Sequence, residues 1–169
     1  MATTYEPIAT YTVTGSAVAS YTFTSIPQTY TDLILVANLR NSGTNSASYV
    51  RVGNGSIDTA TNYSTTYLEG DGSTAYSGRD SNRAQVDGLR AALSTSASDT
   101  FNGNLVHFMN YSNTTTYKTI LVRSGNPAVV VNASVSLWRS TSAIDQVRVY
   151  TNANTEVGSS LTLFGIKAA

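Results

Sequence analysis

Apolar and polar residues alternate along most of this chain. In Asp32-Leu33-Ile34-Leu35-Val36-Ala37-Asn38-Leu39-Arg40 and Gln146-Val147-Arg148-Val149-Tyr150, β-branched and aromatic residues recur with the period of an extended chain. The same pattern predicts strands over Ile8 to Val13, Ser20 to Phe23, Leu33 to Arg40, Tyr49 to Val52 and Tyr63 to Glu69. In the second half it predicts them over Gly103 to Asn110, Tyr117 to Arg123, Val129 to Trp138, Gln146 to Tyr150 and Ser160 to Ile166. Turn chemistry separates them. Ile26-Pro27 breaks the ladder, Gly53-Asn54-Gly55 and Glu69-Gly70-Asp71-Gly72-Ser73 suit tight turns, and Asn41 to Asn45, Asn113 to Thr116 and Asn152 to Asn154 read as loops.

Two stretches resist the pattern. Thr74 to Asn82 has no alternation and reads as a long exposed loop. Gln85 to Leu93 ends in helix formers, but Gly88 and the short length favour a strand with a bend. About ten strands at intervals of roughly 10–15 residues, with no helices between them, predict an all-β antiparallel β-sandwich of the jelly-roll type. No fixed repeat and no linker appears, so residues 1–169 read as a single domain, with an extended N-terminal arm at residues 1–7 able to reach a neighbour.

Composition narrows the chemistry. Charged residues make up 12% of the chain, against about 25% in an average protein, and ten basic residues balance ten acidic ones. No basic cluster offers a footprint for nucleic acid. Near-zero net charge does little to hold copies apart. With no cysteine there is no disulfide, no thiolate nucleophile and no cysteine-ligated zinc. Met1 to Pro7 lacks the basic and apolar regions of a signal peptide, and the apolar runs are far shorter than the ~20 residues of a membrane span.

Candidate catalytic groups are sparse. The one histidine, His107, sits in strand alternation between Val106 and Phe108, with no nucleophile or carboxylate paired to it in sequence. The ten carboxylates are dispersed, apart from Glu69 and Asp71 in one turn that lacks the oxygen-ligand density of a calcium loop. No catalytic, metal or cofactor residue is assigned, and the chain reads as a non-enzyme. Asn-x-Ser/Thr triplets at Asn54, Asn62, Asn110, Asn113 and Asn132 occur as often as so Asn- and Ser/Thr-rich a chain produces by chance. Tyrosine is in excess, with eleven against four phenylalanines and one tryptophan. Its ring packs while its hydroxyl stays wet, which suits rims and contacts. Tyr63, Tyr67 and Tyr76, with Arg79, form the candidate contact surface.

Several phrases carry a resemblance: Ala2-Thr3-Thr4-Tyr5-Glu6-Pro7-Ile8-Ala9-Thr10, Ile26-Pro27-Gln28-Thr29-Tyr30-Thr31-Asp32-Leu33, Asn110-Tyr111-Ser112-Asn113-Thr114-Thr115-Thr116-Tyr117-Lys118-Thr119, Leu137-Trp138-Arg139-Ser140-Thr141-Ser142-Ala143-Ile144, and Leu163-Phe164-Gly165-Ile166-Lys167-Ala168-Ala169. In these the chain resembles small virion proteins of tailed bacteriophages, as in cyanophages. The resemblance implies a structural protein on the virion surface. Its primary reading is a capsid decoration (cement) protein, a homotrimer that bridges subunits of the major capsid protein. The alternative is a tail fibre or spike module that binds a receptor or a host-surface glycan. Neither implies a cofactor, nucleic acid or a membrane.

Overall fold

The chain is described from a computed structural model that covers residues 4–126 and 129–167, and none of these residues is helical. Thirteen strands follow one another. The first seven are β1 (Tyr5–Thr12), β2 (Val18–Phe23), β3 (Asp32–Leu39), β4 (Ala47–Asn54), β5 (Ser56–Ile57), β6 (Tyr63–Gly70) and β7 (Ala75–Arg83). Then come β8 (Val86–Arg90), β9 (Asn102–Phe108), β10 (Lys118–Asn126), β11 (Val130–Trp138), β12 (Gln146–Thr155) and β13 (Ser160–Ile166). Eight of them form one sheet in the order β1-β13-β3-β9-β10-β11-β6-β7, and β2-β12-β4-β5 form a second, with β8 paired to β4. Every strand pairing is antiparallel. The expected antiparallel sandwich of jelly-roll type is the fold found.

The two sheets close on an apolar core. Leu33, Leu35, Val106, Phe108, Ile120, Leu161 and Leu163 on the large sheet meet Phe23, Val50, Val52, Val147 and Val149 on the small one. Since side chains alternate across a strand, each buries one of its two faces. At one margin Tyr11 stacks on Tyr21 with centroids 3.8 Å apart, and Tyr21 meets Phe23 edge-on at 4.9 Å. At one end of the core, Tyr63 and Trp138 are anchored through a single turn. The Trp138 indole N–H donates to Asp58 Oδ2 at 2.7 Å, and the buried Tyr63 hydroxyl lies 3.1 Å from the Asp58 carbonyl.

The inner face of the large sheet changes character along its strands. Phe108, Ile120 and Trp138 lie near one end, whereas Asn102, Asn104, Ser124, Asn126, Asn132 and Ser134 are buried at the other, beneath β8. In β11 this reverses the expected polarity. Asn132, Ser134 and Ser136 point inward and are buried, while Val131 and Val135 point outward and are 65% and 51% exposed.

Two expectations need correction, and a third is met. Thr74 to Asn82 is not a loop but most of β7, the last strand of the large sheet. An edge strand wetted on both faces needs no apolar alternation, so the pattern that marks other strands is missing. Residues 5–7 of the expected arm are the first rungs of β1, paired with Ile166, Gly165 and Phe164 of β13; residues 1–3 lie outside the described residues. Pro7 is tolerated there because β1 is an edge, and a register shift follows it between Pro7 and Ala9. Gln85 to Leu93 does hold a short strand, β8, bent at Gly88 with φ of 113°.

Candidate functional site

The outward phase of β11 is shared by its neighbours, and the registers line these residues up across seven strands. One ladder runs Phe164, Ile34, His107, Leu121, Val135, Thr66, Arg79, each residue directly opposite the next. A second runs beside it: Thr162, Val36, Leu105, Arg123, Ala133, Leu68, Ser77. At ~4.8 Å per strand, each ladder is roughly 29 Å long. Together with Tyr5 and Ile166 they line a broad groove with a volume of about 1060 Å³ over the outside of the sheet. Leu68 at 66% and Val36 at 38% exposure are wetted, large apolar side chains within it.

Polar groups in the groove are few and specifically held. His107 Nε2 and Asp32 Oδ2 are 2.8 Å apart, and Asp32 Oδ1 accepts the Asn110 backbone N–H at 2.6 Å, so the ring is fixed at the margin of the face. Arg123 and Arg79 are exposed and have no ion pair among the described residues. The face is apolar with two free guanidinium groups, and its one carboxylate, Asp32, is engaged by His107. Such a surface offers burial and cationic anchoring.

The residues singled out from sequence divide between the two sides of the sheet. Tyr63 is fully buried, and its hydroxyl bonds to the Val52 backbone; burial pushes the phenol well above its ordinary pKa. It is a core residue and no part of an exposed surface. Tyr67 points inward, half-buried, with its ring over Gly78, where a Cβ would lie 2.5 Å from the Tyr67 hydroxyl oxygen. Tyr76 is 49% exposed and its hydroxyl reaches Asp71 Oδ2 at 3.3 Å. Arg79 faces the outer groove, whose lining Tyr67 also reaches. The adjacency of Tyr63, Tyr67 and Tyr76 along the chain misled because strand alternation and burial separate what sequence places together.

A second depression lies on the other side of the large sheet, where β8 covers β6 only in part. It is a polar cleft of about 210 Å³ that includes Tyr49, Tyr67, Glu69, Asp80, Arg83, Asp87, Arg90 and Asn132. Lys118 is a further unusual group: it is 1% exposed, its Nζ donates to the Thr116 and Thr141 carbonyls at 2.8 and 3.2 Å, and burial lowers its pKa. No cluster of three or more His, Asp or Glu suited to a metal ion occurs among the described residues.

With this geometry in hand, similarity to known proteins is informative about the fold alone. No family model matches the chain, and no curated protein matches it in sequence. Among solved structures, the chain is similar to the exo-inulinase from Aspergillus awamori, with a TM-score of 0.51 and 15% identity. That match covers 96% of this chain but only 29% of the inulinase. The galectin LEC-6 from Caenorhabditis elegans aligns over 94% of this chain and 96% of its own, with a TM-score of 0.37 and 8% identity. β-Sandwiches host lectins, enzymes and shell proteins alike, so the function must be argued from the faces just described.

Proposed function

We propose that this chain is a structural virion protein that decorates a bacteriophage capsid and bridges its subunits, with the ladder face as the attachment surface. The observation that carries this reading is the pair of ladders across seven strands, in which apolar side chains are interspersed with Arg79, Arg123 and His107. Eight of the fourteen ladder residues are apolar, and burial of their exposed members, such as Leu68, Val135 and Val36, is a direct source of association energy. The resemblance of the sequence to tailed-phage virion proteins supplies the setting.

Charge selects the occupant. A second copy laid face to face would bring Arg79 and Arg123 into an interface already holding their counterparts, with no free carboxylate to meet them. A capsid protein surface that presents aliphatic side chains flanked by carboxylates fits both features. Copies of this chain meet elsewhere in this reading. The outer side of β7 and that of β1 have no partner strand in the sheet order, and closure into a trimer would cover such edges. The bridge then opposes the outward pressure of packaged DNA. No catalytic step is assigned to the chain.

Quantitative mass spectrometry of purified virions is the test. Hundreds of copies per particle are expected. A few copies would transfer the protein to the tail and favour the receptor- or glycan-binding alternative, and absence would remove the virion reading. In parallel, Leu68→Asp and Val135→Asp should abolish attachment to capsids while leaving thermal unfolding of the free chain unchanged, because both side chains are exposed there.

A further inference from the structure

We propose that the polar cleft between β8 and the inner face of β6 and β7 binds one neutral sugar ring of a polysaccharide. This goes beyond the capsid reading and uses the opposite side of the large sheet. The cleft's volume of about 210 Å³ suits one hexose-sized ligand, equivalent to the space of about seven liquid waters.

Its polar groups are arranged as fixed donors and acceptors. Arg83 Nε donates to Asp87 Oδ2 at 2.9 Å and its Nη2 to Oδ1 at 3.3 Å. Across the cleft Arg90 pairs with Glu69, and the same Glu69 Oε2 accepts the Asn132 amide N–H at 3.1 Å. These pairs hold four long side chains in place before any ligand arrives, which reduces the entropy lost on binding. Each guanidinium retains further N–H groups and each carboxylate further lone pairs, the complement that adjacent sugar hydroxyls require.

An independent feature points to a missing partner. Asn132 is 3% exposed, and its Oδ1 has no hydrogen-bond partner. A buried amide oxygen left so is costly, and a hydroxyl donor relieves it. Gly88 packs against this oxygen at the margin of the cleft, where a Cβ would come within 2.9 Å of it. The Tyr67 and Tyr49 rings border the cleft and offer faces for the C–H surface of a sugar.

Charge decides the class of ligand. Glu69 and Asp87 are matched by Arg90 and Arg83, which leaves Asp80 in excess. A phosphate or a uronate would be repelled by that carboxylate, whereas the hydroxyls of a neutral hexose can donate to it.

The experiment titrates the ¹⁵N-labelled full chain with D-glucose, D-galactose and D-mannose, and with D-galacturonate as the charged control. At least one neutral hexose should shift the amide resonances of Glu69, Asp80, Gly88 and Asn132 with a Kd on the order of 1 mM. Galacturonate should bind about tenfold more weakly or worse, and Asp80→Asn should weaken the neutral sugar by about tenfold while narrowing its advantage over the uronate. Thermal unfolding confirms that Asp80→Asn folds, and Tyr49→Leu serves as the second variant should it fail. The proposal is overturned if none of the three hexoses moves the cleft amides, if galacturonate binds equally well, or if both variants bind like the parent. None of these outcomes bears on capsid attachment, which is read on the other face.

Discussion

Replacing Tyr63 by Phe removes one oxygen from a fully buried position and leaves the ring packed as before. That oxygen accepts the Val52 N–H at 3.1 Å and has two carbonyls within reach of its single proton, Val52 O and Asp58 O, each at 3.1 Å. Without it the Val52 N–H is left unsatisfied in the core, at a cost of about 1–3 kcal/mol, and one donated bond worth about 1 kcal/mol is lost as well. The expected destabilisation is about 2–4 kcal/mol, which lowers Tm by roughly 5–15 °C in a chain of this length. Urea unfolding of parent and variant, with the m-value checked for constancy, measures it. A second signature comes with alkali. Burial raises the Tyr63 pKa above the ordinary phenol value, so its contribution is complete below the unfolded phenol pKa of about 10 and is lost as pH climbs beyond it. The Phe variant should therefore lose less stability between neutral and strongly alkaline pH. A loss under about 0.5 kcal/mol with the fold intact would refute the argument, since a surface substitution falls within that range.

Other perturbations probe other joints. Gly88→Ala combines a φ of 113° with a Cβ that would lie 2.5 Å from Ser134 Oγ, so a drop in urea stability of about 2 kcal/mol or more is expected. Gly165→Ala drives a Cβ to 2.3 Å from the Tyr30 ring and should destabilise strongly, whereas Gly103→Ala meets nothing nearer than 4.0 Å and should leave Tm nearly unchanged. Burial raises the Asp58 pKa, but hydrogen bonds from Asn62, Trp138 and the Ala60 backbone outweigh it and hold the carboxyl below its ordinary value. Its contribution is therefore present above the unfolded carboxyl pKa of about 4 and lost as pH falls through the folded value, and Asp58→Asn should flatten the acid limb of a stability–pH curve.

Alternation made ten of the strands legible, because β-branched and aromatic positions with period two need no tertiary information to be recognised. It could not reveal phase. Alternation in Val131-Asn132-Ala133-Ser134-Val135-Ser136 marks a strand without saying which set faces inward, and the fold buries the polar set and leaves Val131 and Val135 in water. The reason is β8, whose polar neighbours on the sheet, Ser124 and Ser134, reach the Gly88 and Asp87 carbonyls. That requirement arises from segments more than 30 residues apart and leaves no local trace. The ladder face was hidden for the same reason, since it exists only once seven strands are in register. The polar cleft was hidden too: Glu69 and Arg90, or Asn132 and Glu69, carry no sequence signature of their proximity. Tyr63 was misread because a buried hydroxyl with backbone partners looks, in sequence, like any wetted one.

The polar layer beneath β8 also bears on how this molecule moves. Two sheets held by interlocking hydrocarbon separate only in a global event, but a seam of amides and hydroxyls can exchange its internal bonds for solvent one by one. Bonds at the polar end under β8 can therefore open singly, while Val86 and Leu89 of β8, fully buried in the core, keep the strand seated and the Leu33, Phe108 and Trp138 end stays shut. Amide protons of β8 should exchange with deuterium ahead of those of β3 and β9, through local opening of the polar seam and without unfolding of the core.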